Sequence, residues 1–167
     1  LAEVLFGQYN PSGKLPITFY KSTDELPDFL DYTMKNRTYR YYTGEALFPF
    51  GYGLSYTRFE FGKPQYINNK VRVSLKNVGT RGGLETVQVY IRNLADQEGP
   101  LKTLRAYQQV SLTPGEQKTI TIPLPRQSFE GWDAITNTMR VVPGKYEVMV
   151  GNSSADRDLR KIQVYIK

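Results

Sequence analysis

The chain contains no cysteine and no histidine. Without cysteine there is no disulfide scaffold and no thiol-ligated metal, and the redox compartment is left open. The two absences together exclude zinc sites, Ser/His triads and Cys/His nucleophiles, leaving only hard-oxygen metal sites open to this composition. Long apolar runs are missing too: nothing approaches the roughly 20 residues needed to cross a bilayer, so no membrane partner is expected. No charged, then apolar, then small-residue leader opens the chain; since residue 1 is Leu, this says nothing about a longer parent protein. No nucleophile beside a base, phosphate-cradling glycine loop or metal constellation stands out either. No catalytic, cofactor-binding or metal residue is therefore assigned, and substrate-binding residues stay unknown.

What is present suits one ordinary domain plus an extension: 167 residues, 40% hydrophobic and 23% charged. Charge divides unevenly. Residues 1–56 carry five Lys/Arg against six Asp/Glu and residues 57–167 seventeen against ten, so −1 and +7 make the net +6. The basic residues of the second part stand singly, as at Arg72, Lys76, Arg92 and Lys161. With no run and no recognised motif, nucleic acid is not expected as a partner.

From Thr57 onward the apolar period is two. Val71, Val73 and Leu75 alternate with Arg72, Ser74 and Lys76; Val87, Val89 and Ile91 alternate with Gln88, Tyr90 and Arg92. Ile120, Ile122 and Leu124, then Tyr146, Val148 and Val150, then Ile162, Val164 and Ile166 repeat the pattern. Such alternation predicts strands with one face buried and one wet. With strands at Arg58–Phe61 and near Arg105–Leu112, and turn signals at Asn77–Gly83, Asn93–Gly99, Pro114-Gly115 and Pro143-Gly144, the expectation is an all-β sandwich. It would have about seven strands, of the immunoglobulin or fibronectin type III kind.

Upstream, Leu1–Phe6 followed by Gly7 suits a helix end with a glycine stop, Asn10–Gly13 is turn chemistry, and Leu15–Tyr20 predicts one strand. Between these pieces and the sandwich lies RTYRYYTGEALFPFGYGLSY, residues 37–56, with seven aromatics, three glycines and one proline. It cannot hold helical phase and has too many interruptions for a long strand. So many rings predict a packed junction rather than a linker, at about 2 to 3 kcal/mol for each ring buried.

Within that stretch, Phe48-Pro49-Phe50-Gly51-Tyr52-Gly53-Leu54-Ser55-Tyr56-Thr57, followed by Phe59, resembles the start of the C-terminal fibronectin type III-like domain of glycoside hydrolase family 3. Asn10 to Pro16, followed by Thr18, resembles the last turn and strand of the family's α/β sandwich domain. The resemblance runs the length of the chain. It implies a C-terminal fragment of a larger retaining enzyme acting on β-glucosides or β-xylosides, periplasmic or secreted, and 37–56 is closer to the xylosidase and arabinosidase type. It further implies that residues 1–35 are a remnant of the α/β domain, 36–56 a junction and 57–167 the sandwich. The family's catalytic carboxylates lie in domains upstream, so no catalytic position is carried over. On its own, the stretch 1–35 would be poorly supported or would lie against the sandwich.

Asp24, Glu25, Asp28 and Asp31 form the densest acidic cluster, and a carboxylate pair could serve a glycosidase. Ser22 with Glu25 nevertheless reads as a capping box, with the acids favoured by a helix start. Tyr146 after Pro143-Gly144 resembles a tyrosine corner, the alternative being a plain core aromatic. Trp132 and Phe129 are a pair of rings open to either core or surface; Trp132 is read as an edge plug of the core, the alternative being an exposed sugar platform. Asn152–Asp158 could offer oxygens to calcium but lacks calcium-loop spacing, and is read as a solvated turn. Asn36 and Asn152 sit in glycosylation sequons, which are common by chance.

Two roles follow. The sandwich buttresses the catalytic domains of its parent through the aromatic junction, with no cofactor; or it is a module that holds plant cell-wall polysaccharide through exposed aromatics and its basic surface. A free-standing adhesin-like domain would leave residues 1–35 without a purpose.

Overall fold

Between Phe59 and Ile166 the two-residue period is realised as ten strands, in a computed structural model that describes all 167 residues. One antiparallel sheet contains β1 (Phe59–Phe61), β2 (Gln65–Ile67), β3 (Lys70–Asn77) and β6 (Gln117–Pro123). The other contains β4 (Gly83–Asn93), β5 (Thr103–Leu112), β9 (Gly144–Gly151) and β10 (Leu159–Ile166), in the order β10-β9-β4-β5. A separate hairpin joins β7 (Gly131–Asp133) to β8 (Thr138–Arg140). The seven expected strands are all present, as β1, β3, β4, β5, β6, β9 and β10. The additional β2 continues the line of β1 along the same edge of β3, the break falling where Pro64 offers no N–H to the ladder.

The inward positions make one core of 17 buried residues, including Val71, Val73 and Leu75 of β3, Val87 and Val89 of β4, and Val148 and Val150 of β9. Each buried aliphatic side chain of this kind contributes about 1.5 to 3 kcal/mol relative to exposure. Two polar side chains that enter the interior find partners there. Asn77, fully buried, accepts from the Thr57 hydroxyl at 2.6 Å and donates to the Arg81 and Leu112 carbonyls, tying the start of the sandwich to the end of β3. Tyr146 is buried, and its hydroxyl donates to the Val142 carbonyl at 2.7 Å, so the corner and the core aromatic are the same residue. Phe129 packs edge-on against Tyr146 and Tyr66 within the core.

Three expectations are corrected. Trp132 is 59% exposed on the β7–β8 hairpin and plugs nothing, because that hairpin pairs with neither main sheet. Leu15–Tyr20 is not a regular strand. It runs antiparallel to residues 47–52, with hydrogen bonds at Leu15 and Phe19, but Pro16 and Pro49 remove the donors that would complete a ladder. The middles of β4 and β9 have no wet face: Gln88, Tyr90 and Met149, on the side away from the main core, are as buried as their neighbours. What covers them is the aromatic junction.

Candidate functional site: the aromatic junction and its cavity

Residues 37–56 lie over the outer face of the β4–β9 sheet. The stretch begins with a single helical turn, α2 (Thr38–Tyr41), set by two left-handed residues, Asn36 (φ 56°) and Thr38 (φ 53°). A β-branched residue in that region is strained, and it is held by the Tyr20 hydroxyl, which accepts from the Thr38 N–H at 3.2 Å, and by Asn36 Oδ1, which accepts from Thr43. The turn presents Tyr39, whose ring stacks on Phe50 at 4.2 Å and meets Tyr90 edge-on at 5.8 Å. Its hydroxyl accepts from the Leu104 N–H. With Met149 and Leu159 these rings form a second apolar cluster, outside the sandwich core.

Glycine is required where the junction crosses β4. Gly51 has φ 78°, and a Cβ there would stand 2.1 Å from Gln88 Oε1. Gln88 donates to the Gly51 carbonyl at 3.1 Å and to Asn152 O at 2.7 Å, while the buried Tyr90 hydroxyl donates to Gln88 Oε1. Burial pushes the Tyr90 phenol far up, so it remains a neutral donor. The loop after β9 closes the arrangement, with Ser154 N–H donating to Phe50 O.

The pieces upstream of the junction are tied to the same surface. α1 (Ala2–Leu5) ends at Gly7, φ 72°, as expected of a glycine stop. The Gly7 carbonyl accepts from Arg81, and the Tyr56 hydroxyl donates to Val4 O. Asn10 bridges Gly82 O and the Tyr56 N–H, and Lys14 pairs with the buried Glu85 at 2.6 Å.

The carboxylates of the acidic cluster are engaged in local hydrogen bonds. Ser22 and Glu25 make the capping box of a short 3-10 turn, Asp28 accepts from Leu30 N–H and Asp31 from Thr33 N–H. That backbone bond, with the Thr33 hydroxyl, holds the Asp31 carboxyl below its usual range. Nowhere do three Asp or Glu side chains converge as metal ligands. The Asn152–Asp158 loop is a solvated turn only in part: Asp156 and Arg157 are exposed, but its first half is covered. Ser153 and Ser154 are buried, Ser153 donates to Asp158, and Asn152 donates to Glu85, because the junction lies over them.

Between the junction, this loop and the ends of β4 and β9 lies a cavity of about 530 Å³. Lys102 reaches Ser154 O and Asp156 on one wall, and Lys161 stands 3.3 Å from Asp156 and 3.9 Å from Glu147. Burial tends to raise the Asp156 carboxyl, but the hydrogen bond and charge of Lys102, then Lys161, prevail and hold it low. Arg92, Arg157, Glu45, Tyr42, Thr43 and Thr18 add to the polar lining. No sequence motif marked this cavity, since its walls come from well-separated segments. The one available signal was Tyr90 and Met149 at outward positions where a wet face would carry polar residues.

A family model described as "Glycosyl hydrolase family 3 C-terminal domain" matches residues 1–56, and one described as "Fibronectin type III-like domain" matches residues 85–154. The chain is similar to the xylan 1,4-beta-xylosidase of Xylanibacter ruminicola, 51% identical over 98% of this chain and 20% of that protein. It is 34% identical to the periplasmic beta-glucosidase of Salmonella typhimurium over 93% of this chain and 23% of the relative. In structure it resembles a beta-glucosidase from Streptomyces venezuelae solved with D-glucose, with a TM-score of 0.87 and 32% identity over 99% of this chain and 24% of the other. The chain thus spans about a fifth to a quarter of the relatives it matches.

Proposed function

Because this chain belongs to glycoside hydrolase family 3, carrying the family's C-terminal domain with a fibronectin type III-like domain behind it, we propose that it is the non-catalytic structural end of a retaining enzyme that hydrolyses β-xylosides or β-glucosides. The sandwich buttresses the catalytic domains through the aromatic junction. The observation that carries this reading is the stack of Tyr39 and Phe50 on Tyr90, which joins the junction to the outside of an already complete sandwich. Residues 1–35 then belong to the α/β domain, 36–56 are the junction and 57–167 the sandwich. Leu1, Phe6, Phe29 and Tyr32 are 83% to 95% exposed, an apolar surface of the kind that further protein covers. The greater identity to the xylosidase favours β-xylosides, and the periplasmic relative favours a periplasmic or secreted location.

Deleting residues 57–167 from the full enzyme should lower its melting temperature or its yield. An unchanged melting curve together with unchanged activity overturns the buttress. Exposed Trp132, Tyr107 and Tyr165 favour a second reading, a module that holds cell-wall polysaccharide. Retention of the chain on insoluble xylan at low salt, weakened at high salt, is its expected result; no retention at low salt ends it.

A further inference from the structure

Five buried side-chain polar atoms in the chain have no hydrogen-bond partner by distance; two of them, Thr18 Oγ1 and Arg92 Nε, belong to residues that line the cavity under the junction, while a third, Tyr42 Oη, has the Glu25 carboxylate beside it. Buried polar groups are almost always paired, so orphans gathered around one cavity are what a binding site presents. Arg92 is the telling member. It stands opposite Glu147 in the β4–β9 register, yet it forms no ion pair, and the nearest lysine, Lys161, divides itself between Glu147 and Asp156. Four cations, Arg92, Lys102, Arg157 and Lys161, face three carboxylates, Glu45, Glu147 and Asp156, which leaves one positive charge in excess.

We propose that this cavity binds a hydroxylated carboxylate of monosaccharide size, a uronic acid. A guanidinium fork without an internal partner is matched to a carboxylate. Thr18 can donate to or accept from ring hydroxyls, and Glu147 and Asp156 accept hydroxyl protons. Burial, then a hydrogen bond to the Glu25 carboxylate, pushes the Tyr42 phenol up, so it keeps its proton and stays committed to Glu25. Tyr39, Pro49 and Met149 supply apolar surface for the C–H face of a sugar ring. A volume of about 530 Å³ admits a ligand of this size. The lining residues named here all belong to this chain, and the proposal does not depend on whether the sandwich buttresses anything.

The test is titration of sodium D-glucuronate into the isotopically labelled 167-residue chain, following the Arg92 side-chain Nε–H and the amides of residues 43–46 and 154–157 by NMR. D-glucose and sodium acetate are run in parallel at matched ionic strength. Glucuronate should produce saturable shifts, with glucose and acetate weaker by about tenfold or more. Arg92→Gln should weaken glucuronate by a similar factor, while Arg72→Gln, exposed on the other sheet, leaves it unchanged. The absence of saturable shifts, equal affinity for glucose or acetate, or an unchanged Kd in Arg92→Gln overturns the site. Should Arg92→Gln fail to fold, the wild-type Arg92 resonance decides: if it stays in place while glucuronate binds, the proposal is wrong.

Discussion

All 17 side chains of the main core lie between Val71 and Ile166, whereas among residues 1–56 only Tyr42, Pro49 and Gly51 are buried. The sandwich closes on itself: two sheets supply each other's apolar face, and the fully buried Asn77 is paired within it. The first 56 residues own no core. They keep their shape by laying rings on Tyr90 and Met149, by lending carbonyls to Gln88 and Arg81, and by pairing Lys14 with Glu85. The contrast shows how a stretch too irregular to fold alone becomes ordered once a finished domain offers it a surface. It also explains why the outer face of β4 is buried although the outer face of β3, on the opposite sheet, is wet.

Substitutions can break or sharpen this contrast. Removing a ring from the core should undo both regions together. Phe129→Ala is expected to cost about 3 to 5 kcal/mol, a large part of the roughly 5 to 15 kcal/mol that such a domain possesses, and urea denaturation followed at both regions should show one shared loss. Removing a ring from the junction should loosen only the junction. Tyr39→Ala is expected to cost about 2 kcal/mol there, read as about thirtyfold faster hydrogen exchange at Phe48 and Gly51, with the amides of β3 unchanged. Equal loss of protection in β3 would show that the two regions are one cooperative unit and that the contrast is false.

A smaller effect concerns acid. Backbone and hydroxyl bonds from Thr113 and the nearby Lys118 hold the Glu116 carboxyl at about 2, down from 4.5. A depressed folded-state value means that its stabilisation is full above 4.5 and is lost as pH falls towards 2. Glu116→Gln should therefore flatten the fall of the urea midpoint across that window, and an unaltered pH dependence would remove the group from the account. The least effect is expected at Trp132. Being exposed on a hairpin outside both sheets, Trp132→Ala should change stability by no more than about 0.5 kcal/mol.

The strands were legible because alternation is a local property, visible in any stretch such as Val71 to Lys76 without knowing what lies opposite. The Ser22–Glu25 cap and the Tyr146 corner were legible for the same reason, each being completed within a few residues. Trp132 was misread, since nothing in its neighbourhood tells a core plug from a hairpin tip. Asn152–Asp158 was read rightly at Asp156 and Arg157 and wrongly at Ser153 and Ser154, because a polar loop looks wet until something covers it. The cavity left no mark: Thr18, Tyr42 and Arg92 come from three separate segments, and an arginine without a partner looks the same in sequence as one that is paired.

By itself, then, the sequence determined the inward and outward faces of the strands, the turns between them and the ring-rich character of residues 37–56, all of which follow from near-neighbour periodicity and backbone preference. Only the tertiary structure decided that those rings settle on the β4–β9 face, that Gln88 and Tyr90 are interior, and that unpaired polar groups gather beneath the junction. Those outcomes depend on which distant segments meet, and such meetings are set by the whole chain's packing.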